Sequence, residues 1–164
     1  MSIKGIFTIL AGSALILSGC NSGTGPGMTP VTASQMHGTW NFTTGTVFGI
    51  TMISCVGEPD STETDSRSYN FTDTTDRISF DTTGMTYSLI LPWEFGAGME
   101  TGTWSVSGNT LTLVEIVPEP DTTLVTISIS GTTLSFSFPE TEFDTESNCT
   151  FSTNRTISGT LTKR

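Results

Sequence analysis

From Met36 to the C-terminus, apolar side chains recur at every second position in short runs, and the runs are separated by turn pairs. A period of two belongs to strands with one buried face; an amphipathic helix would repeat every 3.6 residues, and no window shows such a stripe. Trp40 and Phe42 share one face, with Thr39, Asn41 and Thr43 on the other. Ile78 and Phe80 alternate with Ser79 and Asp81, and after Thr83-Gly84 come Met85, Tyr87, Leu89 and Leu91. Trp104 and Val106 run into Gly108-Asn109 and return as Leu111 and Leu113. Val125, Ile127 and Ile129 turn at Gly131-Thr132 and return as Leu134, Phe136 and Phe138. Cys149, Phe151, Arg155, Ile157 and Leu161 share one parity in the last run. Hairpins met in sequence predict an all-β antiparallel meander of about 8–10 strands. Such a meander buries its apolar face by closing into a barrel, which also removes free edges; a two-sheet β-sandwich is the alternative. Two acidic stretches, Glu58 to Ser66 and Pro139 to Ser147, read as loops.

The N-terminus has a different logic. Lys4 precedes an apolar stretch from Ile6 to Leu17, too short for a spanning helix. The stretch ends in Leu17-Ser18-Gly19-Cys20, which resembles the lipobox of bacterial lipoproteins. The resemblance implies a signal peptide over residues 1–19 and lipid attachment at Cys20. Residues 20–35 contain Gly23, Gly25, Pro26, Gly27 and Pro30 without apolar periodicity and read as a flexible tether spanning on the order of 20 Å. Residues 36–164 form the β domain. The expected address is the cell envelope, anchored to a membrane through the N-terminal lipid. In lipoproteins of this type an aspartate after the cysteine favours the inner membrane, so Asn21 points to the outer membrane, facing the periplasm.

Charge narrows the partners. The formal net charge is −10, and residues 1–19 contain Lys4 and no acid, so the remainder is more acidic by one unit. That surface repels nucleic acid and anionic headgroups. With Cys20 lipidated, Cys55 and Cys149 remain. An exported compartment permits disulfides and only one pairing exists, Cys55–Cys149; two buried free thiols are the alternative.

Gly38-Thr39-Trp40 at the head of the first strand resembles the Gly-x-Trp motif that opens lipocalin barrels. The segments from Gly102 to Leu113 and from Ile129 to Leu134 are similar to hairpins of bacterial lipocalin-like domains. The Thr-Asp-Tyr motif of that family is missing, and a second Gly-Thr-Trp at 102–104 is not part of the vertebrate pattern. The resemblance implies a lipocalin-like barrel. It also implies that an arginine of the last strand packs on the motif tryptophan at the barrel floor, which makes Trp40 and Arg155 the expected pair, with a strand-end arginine reaching water as the alternative.

Catalysis finds little support. His37 is the only histidine and sits beside the tether. No phosphate-binding glycine loop, Cys-x-x-Cys or His-x-x-x-His spacing occurs. No metal, cofactor or catalytic residue is expected, although the acidic stretches could offer oxygen ligands to calcium. The carboxylates read as solubilising groups outside any apolar setting. Trp93 and Phe95, in a glycine-rich apolar loop, are the candidate contacts for a ligand or partner. The expected function is binding of a small apolar ligand by a monomeric, membrane-anchored barrel. The alternative is a filled-core interaction module, an envelope scaffold or periplasmic inhibitor.

Overall fold

A computed structural model describes residues 29–73, 75–91, 98–117 and 120–164. Within these a single helical turn, α1 (Ala33–Met36), precedes nine strands: β1 (Gly38–Cys55), β2 (Ser61–Asn70), β3 (Arg77–Asp81), β4 (Thr86–Leu91), β5 (Gly98–Ser107), β6 (Thr110–Val117), β7 (Asp121–Ser130), β8 (Thr133–Glu146) and β9 (Cys149–Lys163). All pairings are antiparallel. From β3 to β9 each strand pairs with the next, and β1 pairs with both β3 and β9, so eight strands close into a barrel. This is the meander that the hairpin spacing predicts. The turns fall where glycine punctuates the sequence: Gly108 and Gly131 both take φ of +59°, a left-handed conformation open to a residue without Cβ.

The ninth strand, β2, lies outside the closed circuit. Thr44 to Ile53 of β1 pair with β2, whereas Gly38 to Asn41 pair with β3 on the same edge. Between them the chain leaves the ladder, held at either end by Phe71 N–H donating to Thr43 O (2.9 Å) and Phe42 N–H donating to Asp76 O (3.1 Å). The far halves of β1, β8 and β9 outrun the barrel, giving a four-stranded extension in the order β2-β1-β9-β8. This corrects the reading of two stretches as loops. Glu63 and Asp65 lie on β2, and Pro139 to Glu146 continue β8. Alternating threonine, serine and acid is a strand pattern with two wet faces, so it lacks the apolar period that marks the barrel strands.

The barrel has unlike ends. At one end lie the β3–β4, β5–β6 and β7–β8 hairpins, and the chain before β1 crosses it. Val31 N–H donates to Gly108 O (2.9 Å), Trp40 Nε1 donates to Met36 O (2.8 Å), and Lys163 Nζ donates to Gln35 O (3.1 Å). Val31 and Met36 are buried. Residues 31–35 are therefore part of the floor and not of a tether, a correction to the boundary expected at residue 36. Their apolar content is too sparse to show a period, but Met36 caps the barrel and Gln35 Oε1 accepts from Thr32 N–H (2.8 Å) to hold the turn. The core rises from this floor: Trp40, Phe42, Ile78, Phe80, Tyr87, Leu89, Trp104, Leu111, Val125, Ile127, Leu134 and Leu161 form one cluster. Phe80 packs edge-on to Trp104 at 5.1 Å and Phe42 edge-on to Phe136 at 6.1 Å, favourable geometries for aromatic pairs.

Candidate functional site: the open half of the barrel

Opposite the floor, the inward side chains change character. Register places Tyr87, Gly102, Glu115 and Asp121 in one row across β4, β5, β6 and β7. Glu100 lies one pleat further out on β5, opposite Leu89. Strands stand about 4.8 Å apart, so opposed inward residues are immediate neighbours. Gly102 is the gap in this row. A Cβ there would meet Val114 O and come within 2.7 Å of Tyr87 Cε1, so the Tyr87 ring lies across bare backbone.

Glu100 is only 6% exposed, and Glu115 and Glu140 are also buried. Among the described residues no hydrogen bond or ion pair reaches the Glu100 carboxyl. Burial, reinforced by the negative charges of Glu115 and Asp121, pushes its pKa up to about 7. The Tyr87 hydroxyl is pushed up by burial and then by the same acids. Asp121 Oδ1 accepts from Thr122 N–H (2.6 Å), but its buried Oδ2 has no hydrogen-bond partner. These positions overturn the view of the carboxylates as solubilising groups outside an apolar setting. The signal was present in parity: Glu100 alternates in step with Trp104 and Val106, and Glu115 with Leu111 and Leu113.

Glu140, inward on β8, is a different case. Burial raises its pKa while nearby Arg155 opposes the shift. Arg155 Nη1 lies 3.8 Å from Glu140 Oε2 and 2.8 Å from Glu142 Oε2. Arg155 therefore does not pack on Trp40. The ladder sets Arg155 opposite Gly49 and sets Lys163 opposite Trp40. The eight steps from Arg155 to Lys163 along β9 span roughly 27 Å at about 3.4 Å per residue. Lys163 takes the floor position, its Nζ 5.1 Å from the Trp40 ring centroid. Parity identified Arg155 as inward but could not say how high on the wall it stands.

Cys55 and Cys149 face each other across β1 and β9 and form the expected disulfide. It clamps the outer end of the extension, far from the carboxyl row. His37 is exposed at the floor, its Nδ1 3.3 Å from Thr82 Oγ1. Cys20, Trp93 and Phe95 lie outside the described residues. Leu91 and Gly98, where β4 ends and β5 begins, stand at the end of the barrel opposite the floor. Three side chains that parity turns inward, Leu113, Phe136 and Phe138, are only partly buried. All three pack against the core cluster from the half of the barrel away from the floor.

A family model described as a lipocalin-like domain matches residues 36–136. No curated protein and no solved structure matches the chain. The matched region runs from the floor through β7 into β8, and β9 beyond it completes the barrel. With a closed antiparallel barrel behind a Gly-x-Trp opening, and more than half of its length matched, this chain belongs to the lipocalin-like domain family.

Proposed function

We propose that the barrel binds a small molecule with an apolar body, which enters opposite α1 and lies against Phe136, Phe138 and Leu113. The observation that carries this reading is the asymmetry of the interior. One end is plugged by Met36 and Trp40, whereas inward apolar side chains at the other remain within reach of water. Unlined apolar surface in a concave, largely preformed site is what small ligands cover. An eight-stranded barrel has room for one such ligand, and lipocalin-like domains act as binding proteins rather than enzymes. Titration of the full chain with N-phenyl-1-naphthylamine tests the reading. Saturable fluorescence enhancement that Leu113→Trp abolishes without loss of Tm is the expected result, and no enhancement overturns it.

The same proposal includes the address. The lipobox-like segment argues for lipid at Cys20, with a monomeric barrel held in the periplasm at the outer membrane. Cys20→Ala should move the protein from the membrane pellet to the soluble fraction; pelleting unchanged by the substitution overturns the anchor.

A second reading, an interaction module, has its own observation. Phe48, Ile50 and Met52 (55% exposed) line the outer face of β1 in the extension, and Phe143 (71% exposed) shares that face on β8. Contiguous exposed apolar groups mark contact surfaces. Loss of co-purifying envelope protein in a Phe48→Ser, Met52→Ser variant with intact probe binding would favour it.

A further inference from the structure

We propose that the ligand of the open half is an organic cation, an amine with an apolar body, held by the inward carboxylates Glu100 and Asp121 beside Tyr87. This rests on the ligand-binding reading above and names the chemical class.

The argument begins with an imbalance. A buried carboxyl without a partner costs free energy, and proteins satisfy such groups or use them. Glu100 is 6% exposed and receives no hydrogen bond from the described residues, and Asp121 Oδ2 is buried without a partner. Among the described residues the charged groups acting on Glu100 are Glu115 and Asp121, both acidic, with the Tyr87 phenol adjoining. Other inward carboxylates are treated differently: Glu140 faces Arg155 on the neighbouring strand. Among the described residues Glu100 and Asp121 thus have no cation beside them such as Arg155 gives Glu140.

A ligand can supply it. An ammonium brings a positive charge and up to three donors, while its hydrocarbon body falls on Leu113 and Phe138. A dicarboxylate row repels an acid and leaves an alcohol with no charge to pair. A metal ion suits the site less well. Among the described residues no group of three or more His, Cys, Asp or Glu side chains is arranged to hold one.

Proton balance gives a signature. The Glu100 carboxyl, with a pKa of about 7, is largely protonated at pH 6. An ammonium that pairs with its carboxylate displaces that proton to solvent, so amine affinity rises from pH 6 to pH 8 while affinity for an uncharged analogue stays flat.

The test is isothermal titration of the full chain with 2-phenylethylamine, 2-phenylethanol and 3-phenylpropanoate at pH 6 and pH 8. Expected at pH 8 is a preference of about tenfold or more for the amine over the alcohol, shrinking at pH 6, with proton release seen as a dependence of heat on buffer ionisation. Glu100→Gln, which keeps the side-chain shape, should remove the amine's preference over the alcohol and its pH dependence. Equal binding of amine and alcohol, or an amine preference that survives Glu100→Gln, overturns the cation assignment and leaves small-ligand binding standing. Failure of all three probes together with N-phenyl-1-naphthylamine overturns both.

Discussion

At the scale of single residues, Glu100 and Gly102 carry the most consequence. The carboxyl of Glu100 holds its proton to about pH 7 in the folded chain, whereas a free glutamate loses it near pH 4.3. The folded state therefore binds the extra proton between these values, and stability falls as pH rises from about 4.5 to about 7, then stays lowered. Glu100→Gln should raise stability at pH 8 on the order of 1–2 kcal/mol, after allowance for screening at the open end, or about 3–6 °C in Tm. At pH 4 it should change little. Thermal unfolding across that range checks the sign, and parallel curves for the two proteins would refute it. Gly102→Ala should be costly for another reason. The new methyl meets Val114 O and the Tyr87 ring, so backbone must move, at about 2–3 kcal/mol in urea unfolding. Both residues were legible as inward from parity, but nothing in the order of residues says that Glu115 and Asp121 stand beside them. Arg155 shows the same limit. Its face was readable and its height was not, because height depends on the register of β9 against β1 and β8.

Among the elements, the extension and α1 were the hardest to read. Strands of the barrel announce themselves because one face must be dry, which imposes alternation. Strand β2, from Ser61 to Asn70, is exposed at nearly every position. Its polar sequence is held by pairing to β1, a long-range contact that local pattern does not encode. Helix α1 has one turn, too short to show a period, and it is fixed by the buried Met36 and the Trp40 Nε1 bond to Met36 O. The disulfide belongs to this scale too. Cys55 and Cys149 are 94 residues apart in sequence and opposed at the outer end of β1 and β9. In the chain-entropy account, closing so long a loop stabilises by roughly 4–5 kcal/mol. The Cys55→Ser, Cys149→Ser protein should lose about 2–5 kcal/mol. Amide exchange should rise first in the outer halves of β1 and β9, with the barrel floor protected longest. Uniform loss of protection would mean that the extension and barrel unfold as one unit.

For the whole molecule, closure is the governing event. Residues 36–136 match the family, yet the circuit is complete only when β9 pairs with β1 on one side and β8 on the other. Removal of residues 149–164 should expose both edges and the floor residues beneath Leu161. Loss of a cooperative thermal transition by near-ultraviolet dichroism is the expected outcome, and a retained sharp transition would show that the matched region folds alone. By itself the sequence determined the fold class, the turn positions and the inward face of each barrel strand. Each follows from local chemistry: a period of two, and glycine at left-handed turns. The tertiary structure alone decided which inward residues share a level, that Lys163 and not Arg155 meets Trp40, that β1, β8 and β9 run on beyond the barrel, and that Glu100, Glu115 and Asp121 stand together. Those are matters of register and closure, fixed by contacts between residues distant in the chain, where a shift of two positions preserves every local pattern and rebuilds the site.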